Sequence, residues 1–271
     1  MQSAPAIVLR RSSVQIAKKN RYTVALARNA GEIREAQRLR YQVFFEEMGA
    51  TSSSAISNAN IGLDTDEYDA DCEHLLVRDD ATGQVVGCYR IMRPEIARRR
   101  GAFYSDSEFD LSRLNPLRNR TAEVGRACIH PDFRSGSVIM LLWSGLAQFM
   151  LENRYEYLIG CASVSLADGH GNAIAVYREM LSTNLAPTEY HVFPLKPYPV
   201  DRFSAIEPTS SARVPPLLKG YARLGAWICG APAWDADFNT ADLFVLLPIS
   251  RLPISYTKHF MGNVESLAVA A

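Results

Sequence analysis

Residues Thr121–Trp143 read TAEVGRACIHPDFRSGSVIMLLW and carry the most informative pattern in the chain. The stretch predicts a strand over Glu123–Ile129, a turn at the following His-Pro pair, and an apolar helix over Ser137–Asn153. A loop of small residues that enters a helix leaves backbone N–H groups free, and the helix dipole adds partial positive charge there. Such a loop can bind a phosphate, which Arg134 would reinforce. The alternative is an ordinary turn with Ser135 as the N-cap of the helix.

Within this strand, Glu123 and Arg126 are a candidate pair of functional side chains. They are three residues apart, so in a regular strand they would face opposite sides of the sheet. Gly125 lies between them and could host a β-bulge, which would re-aim one of the two side chains and free a backbone N–H for an oxyanion. The alternative is a surface ion pair that contributes little to stability. The residues alone leave both interpretations open.

The elements around this stretch predict a mixed α+β sheet in one domain, because strands dominate early in the chain and alternate with helices later. We expect helices over Ala30–Met48 and Asn172–Leu181. Arg93–Arg120 is typical of a basic, irregular segment, Ala50–Asn60 of a mobile surface loop, and Pro194–Pro216 of a long connection. The other predicted strands are Arg21–Arg28, His74–Arg78, Val85–Met92, Tyr157–Val164, Tyr190–Phe193 and Leu243–Leu247.

Composition excludes several classes of protein. The 271 residues contain 29 basic and 29 acidic residues, which argues against a general nucleic-acid binder. Five cysteines without a CxxC pair favour reduced thiols over a disulfide framework or a zinc site, and the histidines show no metal spacing. Apolar runs are far shorter than the roughly 20 residues of a spanning helix, and no signal peptide is evident. We therefore expect a cytoplasmic protein without a metal.

Charge is nevertheless unevenly distributed. Residues 1–20 predict a flexible basic arm, since no acidic residue precedes Glu32. With the arginines of the Arg93–Arg120 segment, this arm could form a basic face for an acidic partner or an anionic membrane. In the opposite sense, Leu63–His74 is rich in carboxylates but lacks the glycine and final glutamate of a calcium loop. That acidic cluster could hold a cationic amine, or it is simply a solvated loop.

The order of these motifs resembles that of the acyl-carrier-protein-dependent N-acyltransferases of the GNAT superfamily. The nearest branch is the bacterial ornithine N(alpha)-acyltransferases of ornithine-lipid synthesis, and the acyl-homoserine-lactone synthases are structural cousins. The resemblance spans about Arg21 to Leu247. Its most specific part is Pro215–Phe244, PPLLKGYARLGAWICGAPAWDADFNTADLF, and the rest comprises Arg40-Tyr41-x-Val43-Phe44, Asp66-Glu67-Tyr68-Asp69, Gly87-Cys88-Tyr89-Arg90, Glu123-Val124-Gly125-Arg126 and His130-Pro131-Asp132-Phe133-Arg134.

The resemblance implies a GNAT acyl-CoA N-acyltransferase-like fold over residues 21–271, with a C-terminal extension from about residue 195. Its sheet should splay between Glu123–Ile129 and Tyr157–Val164, and the pantetheine arm of the acyl donor should enter that cleft. The loop lacks the second glycine of the usual GNAT pattern, which favours acyl carrier protein over coenzyme A as the donor. The implied donor-binding residues are Arg134, Ser135, Gly136, Ser137 and, along the acyl tail, Trp143.

The resemblance also implies roles in the reaction, in which an amine attacks a thioester carbonyl. Glu123 is the expected base, and backbone N–H groups at Gly125 are the expected oxyanion donors. Arg126 would hold the substrate carboxylate or order the acidic cluster. Arg90 would share that task or order the acidic cluster, and Asp66 and Asp69 would bind the second ammonium of L-ornithine or fix the region of Arg40. No cofactor is expected beyond the acyl-4'-phosphopantetheine of the carrier protein, which serves as a substrate.

Three alternatives remain. The enzyme could acylate another amino acid, such as tyrosine, glycine or lysine. It could be an acyl-homoserine-lactone synthase, although those chains lack the Pro215–Phe244 region. It could also be an inactive GNAT-like sensor of acyl carrier protein or lipid, against which the intact Glu123/Arg126 pair argues. Membrane contact through the basic arm is a separate expectation, and a membrane-damaging function has almost no support.

Overall fold

The strand Thr121–Ile129 lies near the centre of a nine-stranded mixed sheet in the computed structural model, which describes residues 15–19, 21–50, 61–167, 169–203 and 212–253. The order along the sheet is β1-β2-β3-β4-β6-β7-β11-β10, with β9 also paired to β11 and a separate two-stranded pair of β5 with β8. The strands are β1 (Gln15–Lys19), β2 (Tyr22–Leu26), β3 (Glu73–Asp79), β4 (Val85–Met92), β5 (Phe109–Asp110), β6 (Thr121–Ile129), β7 (Tyr157–Ser165), β8 (Phe193–Pro194), β9 (Trp227–Ile228), β10 (Ala233–Asp235) and β11 (Thr240–Pro248).

The splay expected between the central strands is confirmed. Strands β6 and β7 are parallel neighbours, but they pair only from Thr121↔Tyr157 to Glu123↔Ile159. Beyond Glu123 the two strands separate, while β7 stays fully paired with β11 on its other side. At the point of separation, a Cβ on Gly160 would lie 2.4 Å from the carbonyl oxygen of Val124, so a side chain there would force the backbones apart. The parting of β6 from β7 opens a cleft in the sheet.

Helices cover both faces of the sheet. Val138 and Leu142 of α3 (Ser137–Glu152) are fully buried against β3 and β4, where Gly87 allows close approach because a Cβ there would lie 2.6 Å from Val138. Helix α1 packs on the opposite face, against side chains such as Leu76 of β3 and Val85 of β4. The helices are α1 (Ala30–Tyr41, continued by a π-helical segment Gln42–Glu47), α2 (Pro94–Arg100), α3 (Ser137–Glu152), α4 (His170–Asn184), α5 (Val200–Phe203) and α6 (Pro216–Arg223). Within the described residues, no helix combines the length and apolarity needed to cross a bilayer.

Several predicted elements need correction. Part of the predicted arm, Gln15–Lys19, forms β1 and pairs antiparallel with β2. Strand pairing uses backbone groups, so a basic segment can also form the edge strand of a sheet. Residues 1–14 lie outside the described residues, as do 51–60 of the predicted loop. The Arg93–Arg120 segment is more ordered than predicted, since it contains α2 and β5. The predicted strand Tyr190–Phe193 is wrong in extent, because Tyr190 ends a short 3₁₀ turn and pairing with β5 begins only at Phe193.

The C-terminal extension completes the fold, since β9, β10 and β11 continue the sheet beyond β7. Its helix α6 packs against α3 at Gly220, where a Cβ would lie only 1.9–2.2 Å from the Trp143 indole. The next residue, Tyr221, forms a buried hydroxyl–hydroxyl hydrogen bond of 2.7 Å with Tyr89 of β4. These contacts explain the small residue and the tyrosine within the PPLLKGY sequence.

We expect Gly220→Ala to destabilise the protein, although alanine is the better helix former. The propensity gain in a helix is about 0.5–1 kcal/mol, whereas forcing a methyl group into a packed interface costs about 1–3 kcal/mol. Denaturant unfolding should therefore show a net loss. Lys219→Ala on the same helix is the control, because Lys219 is exposed and its truncation should be neutral. Equal stability of Gly220→Ala and the wild type would contradict the tight packing against Trp143.

Candidate active site

The predicted β-bulge is present, one residue beyond Gly125. Cys88 pairs with Cys128 and Arg90 with Gly125, so β6 contains one more residue than β4 between these two pairs. Arg126 occupies the left-handed region with φ of +50°, an uncommon conformation for a side chain other than glycine. Through this bulge, Arg126 and Glu123 reach the same neighbouring segment at Tyr104: Glu123 accepts its backbone N–H, and the Arg126 guanidinium lies 5.5 Å from its ring centre. The bulge thus re-aims Arg126, which is one of the two interpretations that the sequence left open.

The acidic cluster of the sequence and two of its predicted arginines form a buried ion network. Arg40 of α1 donates from Nε to Asp64 at 2.8 Å and from both terminal nitrogens to Asp69 at 2.8 Å. Arg90 of β4 donates to both carboxylate oxygens of Asp66 at 2.5 and 2.6 Å, and to Asp69 at 3.0 Å. For Asp69, burial opposes ionisation, but the Arg40 hydrogen bond and charge outweigh it and hold the pKa well below the ordinary value. The network lowers the pKa of Asp66 and Asp69 and keeps both carboxylates charged.

This network engages Arg40 and Asp69 with each other inside the protein, and a substrate-binding role for either stays a prediction. The Arg40 side chain is only 1% exposed, and all three of its nitrogens already have acceptors. Asp69 also accepts from Gln37 at 3.0 Å. Of the two roles considered for each residue, the structure contains the internal one: Arg90 orders the acidic cluster, and Asp69 fixes Arg40. Contact of Asp66 or Arg126 with a substrate stays a prediction.

Arg126 lies at the edge of this network and also lines a cavity. Its Nη2 lies 3.3 Å from Asp66, and its buried Nε lies 3.4 Å from Asp64 without forming a hydrogen bond within the described part of the chain. The guanidinium also stands 5.0 Å from the ring centre of Phe238. Arg126 therefore joins the ion network to the aromatic ring of Phe238.

Glu123 occupies the point where β6 leaves β7, and it is almost completely buried. Its carboxylate accepts hydrogen bonds from the backbone N–H of Tyr104 at 2.6 Å and of Ser105 at 2.8 Å, and from the Ser105 hydroxyl. Burial is the largest effect on this group and raises its pKa, partly offset by the hydrogen bonds from Ser105 and Tyr104. Glu123 anchors the segment that forms one wall of the cleft, and its role as a base stays a prediction.

A cavity of about 290 Å³ lies next to Arg126. Strands β6 and β10, the segment before β5 and the turn before β11 form its walls. It is lined by Tyr104, Ser107, Glu108, Arg126, Lys196, Ala233, Trp234, Asp235, Ala236, Asp237 and Phe238. Among the predicted catalytic residues Glu123, Gly125 and Arg126, it is Arg126 that lines this cavity. The volume is close to the lower end of ligand pockets, about 300 Å³, which suits a substrate of amino-acid size.

Sequence reasoning missed three carboxylates at this cavity. Glu108 and Asp235 line it, Asp242 of β11 lies behind them, and one oxygen of each falls within 4.8 Å of the others. Burial and the neighbouring carboxylates raise the pKa of Glu108 to about 8 and that of Asp242 to about 6. Glu108 belongs to the segment taken as irregular, and the two aspartates lie more than a hundred residues later in the chain. The available signal was the acid content of the C-terminal WDADFNTAD sequence.

The predicted phosphate loop has the expected backbone but a different cap. Gly136, in the left-handed region with φ of +98°, is the N-cap of α3, and no side chain caps the helix. Ser135 is therefore not the N-cap, and Ser137 is the first helical residue. The Arg134 guanidinium forms a two-point ion pair with Glu47 at 2.6 and 2.7 Å. A phosphate at this loop would meet free backbone N–H groups, and it would have to compete with Glu47 for Arg134.

Trp143, predicted to contact the acyl tail, packs against α6 at Gly220. The Trp143 side chain thus lies at the interface between its own helix, α3, and the C-terminal extension. Contact with an acyl chain remains a prediction for this residue, as it does for the phosphate contacts of the loop.

The chain is similar to known acyltransferases. The family described as acetyltransferase (GNAT) domain matches residues 39–144. L-ornithine N(alpha)-acyltransferase of Agrobacterium fabrum is 35% identical over 257 residues, covering 89% of this chain and 86% of that protein. The protein of the same name from Rhodobacter capsulatus is 33% identical over 264 residues, covering 90% and 96% of the two chains.

Solved structures of similar shape include two synthases. The acyl-homoserine-lactone synthase LasI has 16% identity and a TM-score of 0.47, covering 84% of this chain and 90% of that chain. FeeM, an N-acyl amino acid synthase from uncultured soil microbes, has 14% identity and a TM-score of 0.47, covering 85% and 92%. At these sequence identities and TM-scores, neither structure supports an argument about activity. The identity and coverage shared with the curated relatives, together with the matching GNAT domain, decide the family: this chain is an acyltransferase of the L-ornithine N(alpha)-acyltransferase family.

Proposed function

We propose that this protein transfers a fatty acyl group, such as a 3-hydroxyacyl group, from acyl carrier protein to the α-amino group of L-ornithine. The product would be a lyso-ornithine lipid, the first intermediate of ornithine-lipid synthesis. The observation that carries the proposal is the cavity beside the β6–β7 cleft, which combines the Arg126 guanidinium with a group of carboxylates. Ornithine carries one carboxylate and two ammonium groups, so both kinds of cavity charge have a counterpart on this substrate.

The reaction forms a bond between the amine nitrogen and the thioester carbonyl carbon and breaks the carbon–sulfur bond. The ammonium form of the amine is not a nucleophile, so it must first lose a proton to a base. We assign this role to Glu123, whose burial raises its pKa. Arg126 would hold the α-carboxylate, backbone N–H groups near Gly125 would stabilise the tetrahedral oxyanion, and the proton would leave with the pantetheine thiol. The attack is direct and needs no cysteine.

The carrier-protein donor is supported by the loop at the start of α3. Free N–H groups behind Gly136 suit the single phosphate of a pantetheine arm, and the loop lacks a second glycine for the extra phosphates of coenzyme A. The arginine-rich face is less basic than its sequence suggests, because Arg99, Arg100, Arg118 and Arg120 pair with acidic residues of this chain. An acidic carrier would find its charge mainly at exposed positions such as Arg98 and Arg113. Peripheral membrane contact through the basic N-terminal residues is a separate proposal.

The direct experiment mixes purified protein with 3-hydroxyacyl carrier protein and a panel of amino acids, and identifies products by mass spectrometry. We expect N-acylated ornithine as the dominant product, and more of it than with the matching acyl-coenzyme A. Reactions without the protein give the background. A different acylated amino acid would overturn the proposed acceptor, and equal or better use of coenzyme A would overturn the donor. Absence of any product, with carrier protein still bound, would support the sensor alternative.

A further inference from the structure

An aromatic side chain of the C-terminal extension spans the cleft in the sheet. Phe238 lies in the turn 236–239 between β10 and β11, beside the end of β7 that is not paired with β6. Its backbone N–H donates to Asp235 at 3.1 Å, and the carbonyl of Asn239 accepts from the N–H of Leu166, just beyond β7, at 2.9 Å. The turn is therefore tied to the part of the sheet on the β7 side of the cleft.

The Phe238 ring nevertheless contacts groups on the other side of the cleft. Its centre lies 5.0 Å from the guanidinium carbon of Arg126 on β6, which is within cation–π distance. The rings of Phe44 and Phe45, in the π-helical segment after α1, have their centres 6.2 Å from it, at interplanar angles of 87° and 51°. Edge-to-face and tilted aromatic pairs of this kind are favourable, so these two rings hold Phe238 over Arg126.

Arg126 is bounded by aromatic rings as well as by carboxylates. The Tyr104 ring centre lies 5.5 Å from the guanidinium, and Asp66 lies 3.3 Å from its Nη2. Asp64 and Asp66 attract this cation towards the buried ion network. An aromatic face attracts a guanidinium through the charge distribution of the ring, not through its N–H donors. Phe238, which lines the cavity together with Arg126, therefore attracts the guanidinium towards the cavity.

We propose that Phe238 is a positioning residue for the acceptor substrate: by holding the Arg126 guanidinium at the cavity, it sets how tightly the α-carboxylate of the amino acid is bound. This inference rests on the proposed function, in which Arg126 holds that carboxylate. The C-terminal extension would thus contribute to substrate recognition through an arginine of the GNAT domain, which matches residues 39–144. A ring that only fills space would be replaced without a change in recognition by leucine, which is apolar and has no π face.

The experiment compares L-ornithine with 1,4-diaminobutane, which is ornithine without its α-carboxylate. The wild type should prefer ornithine in kcat/KM by roughly 10- to 100-fold, the contribution of hydrogen bonds between charged groups. Phe238→Leu should raise the KM for ornithine roughly 3- to 30-fold, as expected for the loss of a cation–π contact, and change kcat by less than about twofold. It should leave kcat/KM for 1,4-diaminobutane unchanged. Phe238→Tyr, which keeps the ring, should restore most of the affinity for ornithine.

A control and a second background test the route of the effect. Phe193→Leu is the matched control, because the exposed Phe193 ring lies 4.9 Å from the Arg113 guanidinium, outside the cavity lining. It should change neither KM. In an Arg126→Gln background, Phe238→Leu should cause no further loss for ornithine, since the cation that the ring holds is already gone.

Several results would overturn the inference. An equal loss for both amines in Phe238→Leu, or no recovery in Phe238→Tyr, would show that the ring only packs the turn. A full additional loss in the Arg126→Gln background would show that Phe238 acts independently of Arg126. Equal use of both amines by the wild type would reject the carboxylate contact even if no variant folded. If the wild type acylates a different amino acid, the proposed acceptor has failed, and the same comparison of that amino acid with its decarboxylated amine tests Phe238.

Discussion

Replacing Arg40 with methionine is expected to lower the free energy of unfolding at pH 7 by about 3–5 kcal/mol, the usual cost of removing one partner from a buried ion pair. Methionine fills much of the same volume, so the main loss is electrostatic. Asp64 and Asp69 would stay buried without the guanidinium that now donates to both. Arg90 would still contact Asp69 at 3.0 Å, which keeps the loss within this range. The measurement is denaturant unfolding of both proteins.

The pH dependence of this loss tests its origin. In the wild type the folded pKa of Asp69 is lowered, so its stabilisation is present above the unfolded pKa, about 3.9, and is lost as pH falls through the folded value. In Arg40→Met the buried carboxylates destabilise the protein when ionised and not when protonated. The difference between the two proteins should therefore be largest above about pH 5 and shrink towards pH 4.

Arg28→Met is the matched control, because Arg28 is exposed and lies just before α1, where it pairs with Glu32 of the first turn. Its loss should not change the midpoint of unfolding measurably. A loss below about 1 kcal/mol for Arg40→Met, or one that does not vary with pH, would show that the network contributes packing rather than charge pairing.

The sequence predicts the sheet well where local pattern and tertiary structure agree. Strand β4 has the predicted bounds, and β6 and α3 differ from prediction only at their ends. The bulge was predictable in kind because glycine weakens regular pairing. Its exact residue was not, since Arg126 adopts its unusual backbone conformation while contacting Asp64 and Asp66, which lie about sixty residues earlier. Local patterns carry no information about such partners.

The absence of information about distant partners also explains why the roles of the charged residues in the candidate site could not be predicted. The sequence correctly singled out Asp66, Asp69, Arg40 and Arg90 as a set, but whether these charges face a substrate or one another depends on burial. Glu108 was missed for the opposite reason. An isolated glutamate in an irregular segment reads as a solvated surface residue, and only the fold brings it beside two aspartates of the C-terminal extension.

Replacing Glu123 should give the largest loss of activity. If Glu123 takes the proton of the attacking amine, Glu123→Gln should lower kcat roughly 100- to 10,000-fold at neutral pH, the usual contribution of a general base. The carboxylate must be ionised to act, and burial raises its pKa, so the wild-type rate should fall on the acid side at a pH above the ordinary glutamate range. This acid limb should vanish in Glu123→Gln, whose residual rate should not follow that titration.

If Glu123 has only a structural role, its replacement should lower stability and leave the pH profile of the rate unchanged, so the two roles can be distinguished. Its carboxylate accepts from the backbone of Tyr104 and Ser105, so Glu123→Ala should also lower the midpoint of thermal unfolding, because two buried donors would lose their acceptor. Ser105→Ala removes one hydroxyl donor and keeps the carboxylate, which serves as the matched control. Reduced stability with an unchanged acid limb would make Glu123 an anchor of the cleft wall. Full activity of Glu123→Ala at neutral pH would reject it as the base and direct attention to Glu108, a carboxylate that lines the cavity.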